Sequence, residues 1–295
     1  MKRTKTMFVA MALCGAIGIC RSVTGAPTEA KRQYCVIDIS AGPKAAAYPV
    51  AWLDAPPPGG FNADLYKTGK VVLRRIESGS FKMGGGTDVT LTKPYCMGIF
   101  EVTQRQYELV MGCNPSSYKG EMRPVEHVGR KDVRGDSAAF DWPKSSDVAP
   151  DSFVGRLRKR TGLKFDLPTE AQWEYACRAG TAGSYNGTGE KSDLKYLGRY
   201  KYNGGHDNAH ATVGSYLPNA WGLYDMHGKV WEMCLDWQGH LAKGKDPTGP
   251  AEGTYRILRG GGWTNNPNLC TSAWRHSFVP VHAYSDVGVR LALVL

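Results

Sequence analysis

The residues best suited to chemistry lie in the segment 222–237, which reads GLYDMHGKVWEMCLDW. Asp225 and Glu232 supply carboxylates, and the backbone around Gly228 supplies carbonyl oxygens. Hard cations such as calcium bind this mixture of carboxylate and carbonyl oxygen. The same residues also fit two surface acids on either side of a glycine turn, and residue chemistry alone favours that simpler interpretation. The calcium hypothesis therefore needs support from elsewhere in the chain.

Cysteine is the second residue type that could do chemistry here. Six of the eight cysteines follow residue 25 at widely spaced positions: Cys35, Cys96, Cys113, Cys177, Cys234 and Cys270. In an oxidising compartment such cysteines are candidates for disulfides. The absence of a CxxC pair argues against a zinc ribbon or a thioredoxin-like site. Walker loops, HExxH, GxSxG and dinucleotide-binding GxGxxG motifs are also missing.

Composition and charge exclude several broad classes of protein. The 295-residue chain carries 37 Lys and Arg against 27 Asp and Glu, and 42% of its residues are apolar. These are ordinary values for a globular protein, so a disordered or fibrous chain is excluded. The formal net charge is +10, but four of the basic residues precede residue 25. The remaining excess of about six charges is mild and spread along the chain, so nucleic acid is not an expected partner.

Residues 1–25 have the pattern of a secretory signal peptide. Three basic residues within the first five precede an uncharged and mostly apolar run over 7–20, with small and polar residues behind it. The run is shorter than the roughly 20 apolar residues that a transmembrane helix needs, and no later stretch is long enough. We therefore expect cleavage after Gly25 and an exported protein, periplasmic or secreted, without a membrane span.

Residues 26–70 form an N-terminal segment ahead of a main domain over 71–295. A short strand is predicted from Tyr34 to Ile39, where β-branched residues dominate, and another over Lys70–Ile76. Between them lies a stretch rich in Ala, Pro and Gly, from Ala41 to Gly60. The sequence leaves open whether this stretch is a loop over the same domain or a short linker.

Capping residues predict three helices. Capping boxes begin the first and the third helix at Thr103 and Thr169, and Asp151 or Ser152 caps the second, which Gly162 ends. The second half of the chain carries Gly, Asn, Trp and short apolar pieces without a helical run. A few helices followed by a loop-rich half with short strands indicate an α+β domain.

Five segments, in this order, resemble the formylglycine-generating enzyme and sulfatase-modifying-factor family. They are 81–84 (FKMG), 101–107 (EVTQRQY), 167–180 (LPTEAQWEYACRAG), 219–237 (NAWGLYDMHGKVWEMCLDW) and 256–290, which opens RILRGGGW and closes GVR. The family usually has RGGSW and GFR at these last two places. The resemblance covers 71–295. It implies the family's α+β fold, a large C-type-lectin-like (formylglycine-generating-enzyme-like) architecture with low regular secondary structure.

The resemblance also implies a metal site. It places the family's calcium ligands on the side chains of Asp225 and Glu232 and on the backbone carbonyls of Gly228 and Val230. A second calcium site of the family depends on an Asn where this chain has Arg199. Because a guanidinium does not bind a cation, only the first calcium site is expected here.

The copper site of the family's oxidases is incomplete in this chain. These oxidases hold copper between two cysteines and use oxygen to convert a substrate cysteine into formylglycine. The resemblance places the second cysteine on Cys270 but the first on Asn265, and Gly262 replaces the neighbouring Ser. Trp231 matches a Trp near the family's active site. Soft thiolates suit Cu(I) and the two-sulfur arrangement needs both, so Asn265 argues against oxidase activity.

Cys270 also has a structural interpretation. Counted back from Arg275, it lies near a third family cysteine, which pairs with the equivalent of Cys177. The resemblance therefore implies a Cys177–Cys270 disulfide, with Cys234 as a competing partner for either. Such a bond would close a long loop and contribute about 4 kcal/mol in the chain-entropy account.

Two functions follow from these observations. The first is an exported, non-catalytic binding scaffold of this family, with an unidentified protein or glycan as its ligand and a sulfatase as one conceivable partner. The alternative is a copper-dependent oxidase that generates formylglycine on sulfatase cysteines or oxidises another thiol. Asn265 favours the first.

Overall fold

The computed structural model describes residues 32–204 and 209–295. The expected signal peptide, residues 1–25, lies outside these ranges. The described part of the chain contains three sheets and five short α-helices, which confirms the predicted α+β class with little regular secondary structure. None of its helices is long and apolar enough to cross a membrane.

The largest sheet joins the two ends of the described chain. Its strands are β1 (Tyr34–Asp38), β2 (Val50–Leu53), β3 (Lys70–Ile76), β6 (Tyr95–Gly98), β7 (Phe165–Asp166) and β13 (Ala292–Val294). They are antiparallel and lie in the order β2-β1-β3-β6-β13-β7. Because β13 pairs with both β6 and β7, the last strand lies in the same sheet as the first described strand, β1.

The stretch rich in Ala, Pro and Gly is part of this sheet, which decides between the two alternatives that the sequence left open. β2 lies inside the stretch and pairs with β1, with Val36 opposite Ala51. On its other side β1 pairs with β3, with Val36 opposite Val72. Residues 34–70 therefore belong to the same folded unit as the strands that follow them.

The second sheet carries most of the residues that the sequence singles out. Its strands are β8 (Trp231–Trp237), β10 (Arg256–Arg259), β11 (His276–Phe278) and β12 (Val287–Gly288). They lie in the order β11-β10-β8-β12, and β12 is parallel to β8. Six of the seven residues of β8 are buried, so protein covers both of its faces.

The third sheet is a hairpin with one added strand. Its strands are β4 (Gly79–Met83), β5 (Thr87–Leu91) and β9 (Gly244–Lys245). Gly84 and Gly85 form the turn between β4 and β5 with φ of 61° and 82°. L side chains rarely adopt this left-handed region, which explains the glycines here.

The predicted helix starts are confirmed. The helices are α1 (Gln104–Met111), α2 (Arg130–Val133), α3 (Phe153–Thr161), α4 (Glu170–Arg178) and α5 (Leu194–Leu197). Thr103 and Thr169 begin α1 and α4 with complete capping boxes. Ser152, and not Asp151, caps α3 through the Gly155 N–H, and Gly162 ends it with φ of 72°. The four-residue helices α2 and α5 were not predicted.

Buried aromatic side chains fix the positions of α1, α3 and α4 in the interior. Tyr107 of α1 stacks on Phe153 of α3, with ring centroids 5.1 Å apart. Trp173 of α4 is fully buried in the apolar cluster beside the second sheet. Burying a large apolar side chain of this kind stabilises the fold by about 2–3 kcal/mol. α4 is thereby fixed beside β8, where it contacts the functional segment.

Candidate functional site

A tight backbone path leads the predicted calcium ligands into β8. Asp225, Gly228 and Lys229 all have positive φ, of 59°, 93° and 67°. A Cβ atom on Gly228 would lie 2.2 Å from the Arg199 carbonyl oxygen, so only glycine fits there. The Lys229 N–H donates to that same carbonyl at 2.6 Å. The segment around Arg199 therefore holds this loop in place through backbone contacts.

The Asp225 carboxylate is bonded within the protein. Its Oδ1 lies 2.8 Å from the Lys229 Nζ, and neither side chain is exposed to solvent. Its Oδ2 accepts a hydrogen bond of 2.6 Å from the Gly214 N–H. The Lys229 ammonium also donates to the Thr212 carbonyl at 2.6 Å. A lysine ammonium thus contacts one of the two carboxylate oxygens of Asp225, a residue that the resemblance assigns to calcium.

The Glu232 carboxylate is bonded to a different cation. Arg290 Nη2 donates to its Oε1 at 2.7 Å and Arg290 Nε donates to its Oε2 at 2.8 Å. The indole N–H of Trp173 adds a bond of 2.7 Å to Oε2. Burial alone would lower the pKa of Arg290, but the ion pair and hydrogen bonds with Glu232 raise it. This carboxylate is therefore satisfied on both oxygens.

A third buried acid, Glu101, completes the cluster of charges. Neither of its carboxylate oxygens has a hydrogen-bond partner within 32–204 and 209–295. Burial raises the pKa of Glu101 well above its usual value, and the carboxylates of Asp225 and Glu232 add to this effect, against the opposing pull of Lys229 and Arg290. This shift favours the neutral form of Glu101 beside the Asp225–Lys229 and Glu232–Arg290 pairs.

In this structure both predicted side-chain ligands of calcium are bonded to cationic side chains. Asp225 pairs with Lys229 and Glu232 pairs with Arg290. Across the described residues, no group of three His, Cys, Asp or Glu side chains could hold a metal ion. Calcium at Asp225, Gly228, Val230 and Glu232 stays a prediction, and it would have to compete with the Lys229 ammonium for the Asp225 carboxylate.

Arg199, which stands where the family's second calcium site has an Asn, is bonded to backbone carbonyls of its own loop. Arg199 is buried, and its guanidinium donates to the backbone carbonyls of Tyr200 at 2.8 Å and of Ala209 at 3.3 Å. A cationic group that already bonds carbonyl oxygens competes with a metal ion for them. The carbonyls of this loop therefore bind an internal cation, as the Thr212 carbonyl does beside it.

Cys177 and Cys270 are buried free thiols, and the His227 ring contacts the Cys177 sulfur on one side and the Cys270 backbone carbonyl on the other. The Sγ of Cys177 lies 3.8 Å from His227 Nε2 and 3.6 Å from Ser272 Oγ. The Asn186 N–H donates to Nε2 at 3.2 Å, so the ring proton lies on Nδ1, which donates to the Cys270 carbonyl at 2.8 Å. The predicted disulfide is not formed in this structure, and it stays a prediction.

The local chemistry keeps these thiols protonated. Burial raises the pKa of Cys177 and that of Cys270 to about 12. Burial also lowers the pKa of His227 to about 4, so the ring is neutral near pH 7. The thiolate is the form of cysteine that attacks substrates and binds metals. In this state neither sulfur is a strong nucleophile.

The position of the family's first copper cysteine holds an amide that is already bonded. Asn265 Oδ1 accepts the Gly262 N–H at 2.7 Å, and the Asn265 carbonyl accepts the Lys201 N–H at 3.0 Å. With Asn265 in place of one of the two sulfurs, the residues present do not fit a copper ion held between two sulfurs.

Two titratable residues beside this position were missed by the sequence analysis. The His276 ring lies 4.9 Å from the Trp231 ring, centroid to centroid. The Asp286 carbonyl accepts the Trp231 N–H at 2.8 Å, and burial raises the pKa of the Asp286 side chain. Both lie in the last matching segment, but neither belongs to a motif. Pairing of β12 with β8 brings Asp286 to Trp231. His276 lies on β11, which is joined to β8 through β10.

Comparison with known protein families gives one match over most of the chain. The model of the family described as "Sulfatase-modifying factor enzyme 1-like domain" matches residues 65–295. Among curated proteins, the chain is 29% identical over 251 residues to the chaperone protein LppX of Paenibacillus barcinonensis, covering 73% of this chain and 87% of that protein. It is 35% identical over 143 residues to the formylglycine-generating enzyme of Streptomyces coelicolor, covering 43% of this chain and 46% of that enzyme.

Solved structures agree with the fold. The Treponema denticola variable protein 1 superposes with a TM-score of 0.64 at 26% identity, covering 76% of this chain and 95% of that one. PvdO from Pseudomonas aeruginosa superposes with a TM-score of 0.63 at 24% identity, covering 76% and 94%. These superpositions confirm the architecture that the resemblance implied.

Proposed function

The chain belongs to the family of sulfatase-modifying factor enzyme 1-like proteins, and from this premise we propose that it is an exported, non-catalytic binding scaffold. In this proposal the fold presents a surface to a protein or glycan ligand, and no formylglycine is made. Export rests on the sequence pattern of residues 1–25.

One observation carries the proposal. Asn265 takes the place of a copper thiolate, and its side-chain oxygen is committed to the Gly262 N–H at 2.7 Å. The remaining candidate, Cys270, is fully buried, and burial raises its pKa to about 12. An oxidase of this type holds copper between two thiolates, whereas this site supplies an amide in place of the first and a buried thiol as the second.

The relatives support a scaffold at least as well as an oxidase. The alignment with LppX, whose name describes a chaperone, runs over 73% of the chain, whereas the alignment with the formylglycine-generating enzyme of Streptomyces coelicolor runs over 43%. The chain spans 46% of that enzyme's length. A shared fold does not carry a shared activity with it. The departure at Asn265 supports the scaffold over the oxidase.

A Cu(I) competition titration tests the proposal. The reduced, full-length chain is titrated against a Cu(I) chelator of known affinity, next to the Cys270→Ser and Asn265→Cys variants. We expect wild type and Cys270→Ser to take the same amount of Cu(I) from the chelator, because neither holds a two-thiolate site. Stoichiometric, tight Cu(I) binding that Cys270→Ser abolishes would contradict the proposal and restore the copper-dependent oxidase.

The binding half of the proposal has its own measurement. Glycan and peptide arrays probed with the exported chain, in buffers without copper, should give saturable binding to one class of ligand. The Asn265→Cys variant should bind that class equally well. If binding to every array ligand is weak and unsaturable, the scaffold function is contradicted even when the copper result holds.

A further inference from the structure

A cavity of about 360 Å³ lies at the end of β8 that is remote from Trp231. It is enclosed by Arg130 and the residues after α2, by Trp237 and Arg256 of the second sheet, and by residues 279–281. The Arg130 N–H donates to the Pro280 carbonyl at 3.2 Å, which holds two of these walls together. The volume falls within the range of about 300–1,000 Å³ that is typical of small-molecule sites.

Three buried hydrogen-bond donors around this cavity have no acceptor among the described residues. They are Arg130 Nη2, Arg256 Nε and the Trp237 indole N–H. Arg130 and Arg256 are 2% and 1% exposed, so bulk water does not supply the missing hydrogen bonds of their guanidinium groups. A buried donor left without an acceptor costs about 1–3 kcal/mol, and more when it is charged. Three such donors around one cavity point to a missing acceptor.

One of the two guanidinium groups that line the cavity lacks a carboxylate partner. The charged lining residues are Arg130, Arg256, Asp136 and Asp141. Asp166 is shared by Arg134 and Arg158, and Asp141 pairs with Arg256. No ion pair is found for Arg130 within the described chain. Burial lowers the pKa of Arg130 to about 9, and repulsion from Arg256 and Arg134 adds to this effect.

The remaining walls are apolar and held in place. The Arg256 guanidinium lies 3.3 Å from the centroid of the Trp237 ring, a cation–π contact that fixes both side chains. Phe140 and Val281 complete the apolar lining, and Val281 is 67% exposed at the rim. Asp136 also lines the cavity at its exposed mouth, where solvent weakens the field of its carboxylate without removing it.

We propose that this cavity binds a small organic oxyanion, a carboxylate or phosphate monoester with an apolar body. The oxyanion accepts hydrogen bonds from Arg130, whose planar guanidinium suits bidentate contact with either group. The apolar body packs on Trp237, Phe140 and Val281. Trp231 and Trp237 are the first and last residues of β8, about 20 Å apart along a strand. The proposal therefore stands independently of the chemistry at Asn265.

Binding to simple probes tests the proposal on the full-length protein. Phenyl phosphate, benzoate, inorganic sulfate and neutral benzyl alcohol are titrated by calorimetry and by thermal unfolding, since a ligand that binds the native state raises the melting temperature. Arg130→Met is compared with Arg105→Met, whose arginine forms an exposed pair with Glu108 at 2.7 Å. The two substitutions remove the same charge, one from the cavity and one from the surface.

The expected pattern is specific. Wild type and Arg105→Met bind phenyl phosphate or benzoate saturably at one site and benzyl alcohol not at all, whereas Arg130→Met binds the anions about ten- to a hundredfold more weakly. Asp136→Asn, which removes a like charge at the mouth, binds them more tightly. Without ligand, Arg130→Met melts no lower than Arg105→Met, because an unpartnered buried guanidinium does not stabilise the fold.

Three results would overturn the proposal. One is the absence of saturable anion binding to wild type, and a second is equal binding by Arg130→Met and Arg105→Met, which would show an adventitious surface effect. The third is sulfate binding as tightly as phenyl phosphate, which would show that the apolar walls take no part. If Arg130→Met fails to fold, an unchanged anion affinity in Asp136→Asn contradicts the proposal by itself.

Discussion

Replacing Lys229 with Met removes the cation that the structure places on the Asp225 carboxylate. The ammonium lies 2.8 Å from Asp225 Oδ1 and 2.6 Å from the Thr212 carbonyl, and neither charged side chain is exposed. Removing one partner of a buried pair leaves the other charge uncompensated, which costs about 3–5 kcal/mol. For a domain of this size each kcal/mol lowers the melting temperature by about 2–4 °C, so we expect a fall of about 10 °C.

The assay is thermal unfolding with and without a calcium chelator, and two further variants calibrate it. Lys144→Met removes an exposed lysine that pairs with Glu252 at 3.0 Å, and should cost less than about 1 kcal/mol. The double variant Asp225→Asn with Lys229→Met removes both charges and should recover most of the lost stability. Added calcium should stabilise Lys229→Met alone, because only there is the Asp225 carboxylate free beside the Thr212 carbonyl.

A calcium chelator distinguishes neutralisation of Asp225 by the Lys229 ammonium from neutralisation by a bound metal ion. If Lys229 neutralises Asp225, a chelator leaves the wild-type melting temperature unchanged. A lower wild-type melting temperature in chelator, reversed by added calcium, would refute the reasoning and support calcium at the residues that the sequence predicted. A Lys229→Met protein as stable as Lys144→Met would refute it as well.

Three further predictions concern other parts of the chain. Non-reducing peptide mapping of the exported protein should recover one peptide that links Cys177 to Cys270; two free thiols there would show that the arrangement in this structure persists in the oxidising compartment. N-terminal sequencing of the exported protein should begin after Gly25, and an intact N-terminus would contradict cleavage. Burial, with help from the Glu170 carboxylate, raises the pKa of Asp236 to about 7. The unfolded chain then loses this proton at lower pH than the folded one, so stability should fall by up to about 4 kcal/mol between pH 4 and 7. Asp236→Asn should flatten this dependence relative to wild type, and an unchanged slope would contradict it.

The local elements were predictable from the sequence because their signals are local. The capping boxes at Thr103 and Thr169 begin helices in the structure as they do in the sequence. The strand over Lys70–Ile76 is confirmed with the same bounds. The pairing of β1 with β2 was not predictable, because a stretch rich in Pro and Gly gives no periodic pattern and strand partners are set by tertiary contacts.

The candidate site could be predicted only as a set of positions. The sequence identified Asp225 and Glu232, and the structure places both in the interior. It did not predict that Lys229 and Arg290 neutralise them, because spacing along a chain does not say where a long side chain ends. Only the three-dimensional path of the loop, with positive φ at Asp225 and Lys229, turns that ammonium toward the acid.

Aldehyde formation on a sulfatase-derived cysteine peptide measures most directly whether the chain is a scaffold or an oxidase. The full-length protein, reduced and supplied with Cu(I) and oxygen, is incubated with the peptide, and formylglycine is detected with an aldehyde-specific reagent. We predict no turnover above a control without protein, because Asn265 and the buried Cys270 do not form a two-thiolate site. Turnover that Cys270→Ser abolishes would contradict this claim and show that one thiol suffices.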